Sequence, residues 1–264
     1  MMNSSKTGKL ATNLMLFMTT GLLGWLIIRY IRATPSQTAP MGPPRAYKIP
    51  QSYIAAMVPI AAALNLVGGY IISTFRLPIF LDMMGTAVAA FTVGPWWAAI
   101  TGIITNIGES LLISPIYLPF AVTNVAGGLV WGYAARYGFG KDFPRLLGLG
   151  IIVAFISSVI SVPIIVFVFG GATGVPNDII TAALIAAGGQ LFSSVFISNI
   201  IASLSDKIIS TFIAVAIVAA LPPVLKSRVE LARYAGMKAV GYALVGILIG
   251  VVIMVAIVYG WLHV

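Results

Sequence analysis

Apolar runs recur along the whole chain, and the lysines and arginines fall mostly between them. The longer runs cover residues 13–31, 52–75, 95–113, 119–137, 146–169, 179–203 and 237–261, with shorter ones at 80–93 and 206–221. A helix needs about 20 apolar residues to cross roughly 30 Å of hydrocarbon, and most of these runs approach that length. Lipid offers no partner to a free backbone N–H or C=O, so only helices and closed barrels can span it. The alternating segments of about ten residues that a barrel requires are absent. The fold class expected is therefore all-α, a polytopic membrane protein. Composition agrees: 60% of residues are hydrophobic and 8% charged, against about 25% charged in soluble domains.

The formal net charge of +9 would suit nucleic acid, but the placement of the charges argues against that partner. Residues 29–48, 136–145 and 226–238 hold four, three and four of the fifteen Lys and Arg residues. Basic loops between apolar runs mark the cytoplasmic side, facing anionic lipid. The runs 52–75, 80–93, 95–113 and 119–137 give four crossings between the first two basic sites. An even number is needed again before the third, yet three runs are available. The weakest, 179–203, is then expected to be re-entrant or packed along the outer side, as a wall of a binding site. A count in which it crosses remains the alternative. Interrupted backbone at membrane depth is tolerated where it lines a cavity.

The first run, 13–31, follows Lys6 and Lys9 and reads as an uncleaved anchor. It exceeds a usual signal-peptide core, and no small-x-small cleavage site follows it. Residues 33–50 contain five of the fifteen prolines and read as an extended linker. The run 52–75 is rich in small residues, with Ala55, Ala56, Ala61, Ala62 and Ala63 making a smooth face. Such faces allow close helix contact, within the chain or with a partner. Pro59 would kink this helix unless neighbours satisfy the freed carbonyl. Asn177 or Asp178 suits a helix N-cap. Three units follow: residues 1–50 as anchor and linker, 51–226 as the membrane core, and 227–264 as a further transmembrane helix.

Polar residues inside apolar sequence carry the functional information. Asp82 and Glu109 are two of six acidic residues, and a carboxylate at a helix centre costs roughly 2.5–3.5 kcal/mol on insertion scales. Asp82 is expected near a helix end at the outer surface, met there by head groups or Arg76. Glu109 lies deeper in its run and shares a helix face with Asn106 through i, i+3 spacing. Asn124, Gln190, Asn199 and Lys207 complete the candidate substrate-binding set. The alternative role for any Asn or Gln among them, and for Asn65, is a hydrogen bond to a neighbouring helix. Lys207 is placed at the outer start of the last core helix, to meet a ligand carboxylate or to pair with Asp206. Trp96, Trp97 and Trp131 are expected in an interfacial belt.

Signatures of catalysis are scarce, and no enzyme activity is expected. Gly138-Phe139-Gly140-Lys141-Asp142 lacks both the first glycine and the Ser or Thr of a phosphate loop, with Ala135 and Asp142 in their places. The only histidine, His263, is the penultimate residue. No cofactor and no metal site are expected, and the absence of cysteine removes disulfides and thiolate ligands.

Taken together, the small-residue helix 52–75, Leu81-Asp82, Gly94-Pro95, Asn106, Asn124, the Gly170–Asp178 loop and the run from Asp206-Lys207-Ile208-Ile209 to Leu221-Pro222 resemble a known family. It is the substrate-binding S component of energy-coupling factor (ECF) transporters, particularly the riboflavin-type group. The resemblance spans about 52–226, with the motifs in the expected order. It implies a six-helix core in the cell membrane that captures a vitamin-like small molecule, docked through its alanine-rich first helix on a transmembrane coupling protein with two ATPases. Two features depart from that pattern. Pro59 falls four residues after Ala55, where a docking alanine is common, and the helices 13–31 and 237–261 are additions to the core. An ion-coupled secondary transporter, or a non-transporting membrane subunit or sensor built on the same fold, remains the alternative.

Overall fold

A computed structural model describes residues 49–221 and 237–262. The expected anchor 13–31, nearly all of the linker 33–50, Pro222-Pro223, the basic residues 226–236 and His263 lie outside the described residues. Within them the chain forms eight α-helices: α1 (Gln51–Phe75), α2 (Met84–Thr92), α3 (Pro95–Leu112), α4 (Ala121–Arg136), α5 (Phe143–Phe167), α6 (Asp178–Ala186), α7 (Leu191–Ala220) and α8 (Met237–Leu262). A 3-10 turn, Pro115–Phe120, joins α3 to α4. Three of these helices, α1, α5 and α7, are long and apolar enough to cross a membrane.

Polarity is inverted relative to a soluble domain. Ile103, Ile107 and Leu111 form an exposed apolar stripe on α3, 42%, 45% and 81% accessible. Asn65, Thr86, Thr105, Asn124, Asp206, Lys207 and Ser210 are buried inside. Polar groups facing inward and aliphatic groups facing outward suit a hydrocarbon solvent, where an unpaired polar atom has no water to fall back on.

Close approaches at small residues set the helix packing. α3 and α4 run antiparallel, with Pro95 against Gly132, Ala98 against Gly128, and Gly102 against Asn124. On α1, Ala61 and Ala62 are buried and the Ala61 carbonyl lies against Gly85 of α2, whereas Ala55, Ala56 and Ala63 are exposed. The expected alanine face is thus split, because the helix turns 61 and 62 inward. Pro59 lies inside an unbroken α1. Trp131, expected at an interface, is fully buried and donates Nε1–H to Thr211 Oγ1 at 2.9 Å. The indole belongs to the core and its one donor is satisfied there. Trp96 and Trp97 are exposed.

Two expected segments are built differently. Residues 80–93 do not form a spanning helix. Only the nine residues of α2 are helical, about 14 Å long, and the stretch leading into it, 76–83, is irregular. Likewise 179–203 is not one element. It breaks at Gly188-Gly189-Gln190, and α7 then runs 30 residues without interruption, about 45 Å. Asp206 and Lys207 therefore sit at the middle of that helix. Ser and Asn residues between 193 and 199 fail to break it because Ser198 and Asn199 are buried, with Ser198 Oγ bonding within the protein to Val195 O and Thr181 Oγ.

Gly85 and Gly148 make a contrast that tests this packing. A Cβ at residue 85 would overlap the Ala61 carbonyl, whereas at residue 148 it would meet nothing within 4 Å. Gly85→Ala is expected to cost about 1–3 kcal/mol through overpacking, and Gly148→Ala to be within about 0.5 kcal/mol of neutral. Thermal unfolding of the detergent-purified variants, followed by intrinsic tryptophan fluorescence, reads the difference.

Candidate functional site

A buried polar chain fixes the segment from which the site is built. Asn65 of α1 donates Nδ2–H to Thr86 Oγ1 and Thr105 Oγ1, both at 2.9 Å, and its Oδ1 accepts from Gly85 N–H at 2.6 Å. Thr86 then donates to Asn124 Oδ1 at 2.7 Å, and Asn124 Nδ2–H reaches the Asp82 carbonyl at 3.3 Å. Four elements are joined, and the first turn of α2 is held in the interior. Asn65 acts as structural glue. Asn124 does so too, and it also lines the cavity described next.

The irregular stretch before α2 enters this interior with an unusual backbone. Leu81 adopts φ 49°, in the left-handed region, which costs a non-glycine residue about 1–3 kcal/mol and is found where surrounding contacts enforce it. The enforcing contact is visible: Leu81 N–H donates to Asp206 Oδ1 at 3.0 Å. The other Asp206 oxygen pairs with Lys207 Nζ, and Ser210 Oγ also bonds Oδ1 at 3.2 Å. Lys207 Nζ lies 3.5 Å from Asp82 Oδ1, ion-pair range but too long for a good hydrogen bond. It also stands 5.8 Å above the Phe80 ring centroid. Asp82 is thus met by Lys207 within the protein rather than by Arg76 or head groups at a surface, and it is level with the centre of α7.

These groups form one end of a cavity. Phe80, Asp82 and Met83 line it from the irregular stretch, and Ile116, Tyr117 and Phe120 from the 3-10 turn. Thr123 and Asn124 come from α4, and Ser157, Ser161 and Ile165 from α5. Asn177, Asp178 and Thr181 surround the start of α6, and Val195, Ser198, Asn199, Ser203 and Lys207 lie along one face of α7. The cavity volume is about 60 Å³, below the roughly 300–1,000 Å³ of small-molecule sites, so a ligand of that class has to widen it on entry.

Several wall groups are satisfied by one another. Thr123 and Ser161 hydroxyls bond at 3.0 Å, Thr181 and Ser198 at 2.6 Å, and Ser203 donates to Asn199 Oδ1 at 3.3 Å. Others are not. Asn177 Oδ1, Ser157 Oγ and Asp82 Oδ1 are buried without a hydrogen bond. Neither Asn177 nor Asp178 caps α6 through its side chain. Asp178 reaches back to accept Thr173 N–H at 2.7 Å and Gly174 N–H at 2.6 Å, closing the 173–178 loop that lines the cavity.

Of the residues singled out in the sequence, Asp82, Asn124, Asn199 and Lys207 line this cavity together. Asn106 and Glu109 do not. Asn106 Nδ2–H donates to the Tyr117 carbonyl at 2.9 Å, bracing the 3-10 turn behind the wall. Glu109 is fully buried with no partner for either oxygen among the described residues, and its Oε1 faces Gly69 of α1. Gln190 is exposed in the turn before α7. Sequence reasoning passed over Ser157 and Ser161, whose i, i+4 spacing puts them on one helix face, and the ring residues Tyr117 and Phe120. The chain matches no family model, no curated protein and no solved structure.

The charged trio gives a direct test. Lys207→Met leaves Asp206 buried without its counter-charge, expected to destabilise by about 3–5 kcal/mol. The double variant Asp206→Asn/Lys207→Gln removes both charges and should recover much of that loss. Thermal unfolding of the three proteins decides it.

Proposed function

We propose that this chain is a membrane-embedded substrate-capture subunit of the ECF S-component kind, binding a vitamin-like small molecule for ATP-driven uptake by a coupling protein and two ATPases. The observation that carries the reading is the cavity itself. It is walled by amides, hydroxyls, aromatic rings and a charged trio, in a molecule that turns aliphatic side chains outward. Wall polar atoms without partners are costly unless something occupies the space.

The interrupted elements support it as well. The irregular stretch before α2 lines the cavity through Phe80, Asp82 and Met83, and the loop before α6 through Thr173, Val175 and Asn177; non-helical backbone inside a membrane protein is tolerated where it lines such a space. In this reading α1, α2 with its irregular lead-in, α3, α4, α5 and α7 form the six-segment core in the cell membrane. α8 is an addition packed on α7, and Ala55, Ala56 and Ala63 remain on the exposed face of α1 for a coupling protein. Nothing in the wall arranges a nucleophile beside a base, so binding rather than catalysis is the activity assigned.

The test uses the full chain and whichever small molecule it retains through purification, identified by native mass spectrometry. Expected are binding of that molecule by the chain alone, no uptake into liposomes under a proton or sodium gradient, and ATP-dependent uptake when coupling protein and ATPases are co-reconstituted. Gradient-driven uptake by the chain alone, or a stable native complex lacking ATPases, overturns the proposal.

A further inference from the structure

The wall of the cavity is unbalanced in charge and in hydrogen-bonding capacity. Among the described residues, Asp82 and Asp178 line it and Asp206 lies directly behind Lys207, so three carboxylates face one ammonium. Lys207 is 2% exposed and committed to Asp206, with Asp82 as its second neighbour. A ligand carboxylate would have to displace one of those partners and then sit beside the remaining acids. Asp206 is saturated by Leu81, Ser210 and Lys207, and Asp178 by two backbone amides. Asp82 is the exception, its Oδ1 having no hydrogen-bond donor.

The neutral acceptors point the same way. Asn177 Oδ1 is also unpartnered, whereas the Asn124 amide is spent within the protein on both sides. Ser157 Oγ, also unpartnered, can donate as well as accept, so the wall's unmet capacity lies mainly in acceptors and suits a ligand that brings N–H donors and positive charge. Phe80, Tyr117 and Phe120 offer ring faces and edges beside those acceptors, and aromatic rings attract cations as well as planar bodies.

Resting on the reading of the cavity as a small-molecule site, we infer that it selects an organic cation, an amine- or amidine-bearing planar molecule whose charged end meets Asp82 and Asn177. The probes are three molecules of one shape and different charge, benzamidinium, benzamide and benzoate, titrated against the full chain in nanodiscs by ligand-observed NMR. Benzamidinium should bind about tenfold or more tighter than benzamide, the scale of one charge-assisted hydrogen bond, and benzoate weakest of the three. Asp82→Asn, its fold checked by thermal unfolding, should collapse the benzamidinium-to-benzamide ratio. Asn177→Lys should favour benzoate, and it supplies the charge test should Asp82→Asn fail to fold. Benzoate binding as tightly as benzamidinium to the native chain, or an unchanged ratio in a folded Asp82→Asn protein, overturns the charge assignment alone. Binding of none of the three overturns the cavity as a site, and this inference with it.

Discussion

The amide of Asn65 holds a nine-residue helix in the middle of a molecule that offers it no water. Both N–H donors and the oxygen are engaged, with two bonds to threonines and one acceptor bond to a backbone amide at the start of α2. A short helix has a poor ratio of internal bonds to free ends, and each free end buried in an apolar interior costs as much as a lost hydrogen bond. Without Asn65 the first turn of α2 would leave the Gly85 amide unpaired. With it, the irregular stretch before α2 is delivered to the centre of α7, where Asp206 receives Leu81.

From that point two networks meet. The neutral one runs from Asn65 through Thr86 and Asn124 to the Asp82 carbonyl, and the charged one from Leu81 through Asp206 and Lys207 to the Asp82 carboxylate. One residue thus receives structural support through its backbone and electrostatic support through its side chain. The arrangement separates the work: the amides fix position, and the ions hold the Asp82 carboxylate at the wall of the cavity.

Much of this was legible in the sequence, and the parts that were not share a cause. Helix class follows from run length and the lack of alternation, and α1, α3, α4 and α5 begin and end within a few residues of their apolar runs. Of the polar set, Asp82, Asn124, Asn199 and Lys207 converge on one cavity, while Asn106, Glu109 and Gln190 lie outside its lining. What hydropathy does not encode is which polar residues find partners. Ser198 and Asn199 read as breaks in α7, yet Ser198 bonds Thr181 across the hairpin and Asn199 accepts from Ser203, so the helix continues. Residues 80–93 read as a spanning run because their side chains are apolar, while Asp206 and Asn124, far away in sequence, bond the Leu81 N–H and the Asp82 carbonyl and hold the stretch before Met84 out of helix. Trp131 was misplaced for the same reason: its partner, Thr211, is 80 residues away.

α7 acts as a ruler. Val195, Ser198, Asn199, Ser203 and Lys207 line the cavity from one side of the helix, at successive spacings of three, one, four and four residues, and the anchors beyond them, Ile208 against Gly150 and Thr211 against Trp131, lie on the same rod. A single inserted residue between Asn199 and Lys207 would rotate everything after it by about 100° relative to everything before it. The hydroxyl wall and the ammonium would then point into different parts of the molecule. The 168–177 loop, which contributes Thr173, Val175 and Asn177 to the lining from outside any helix, has no such phase to keep, so variation in length disturbs the cavity less there than along the rod.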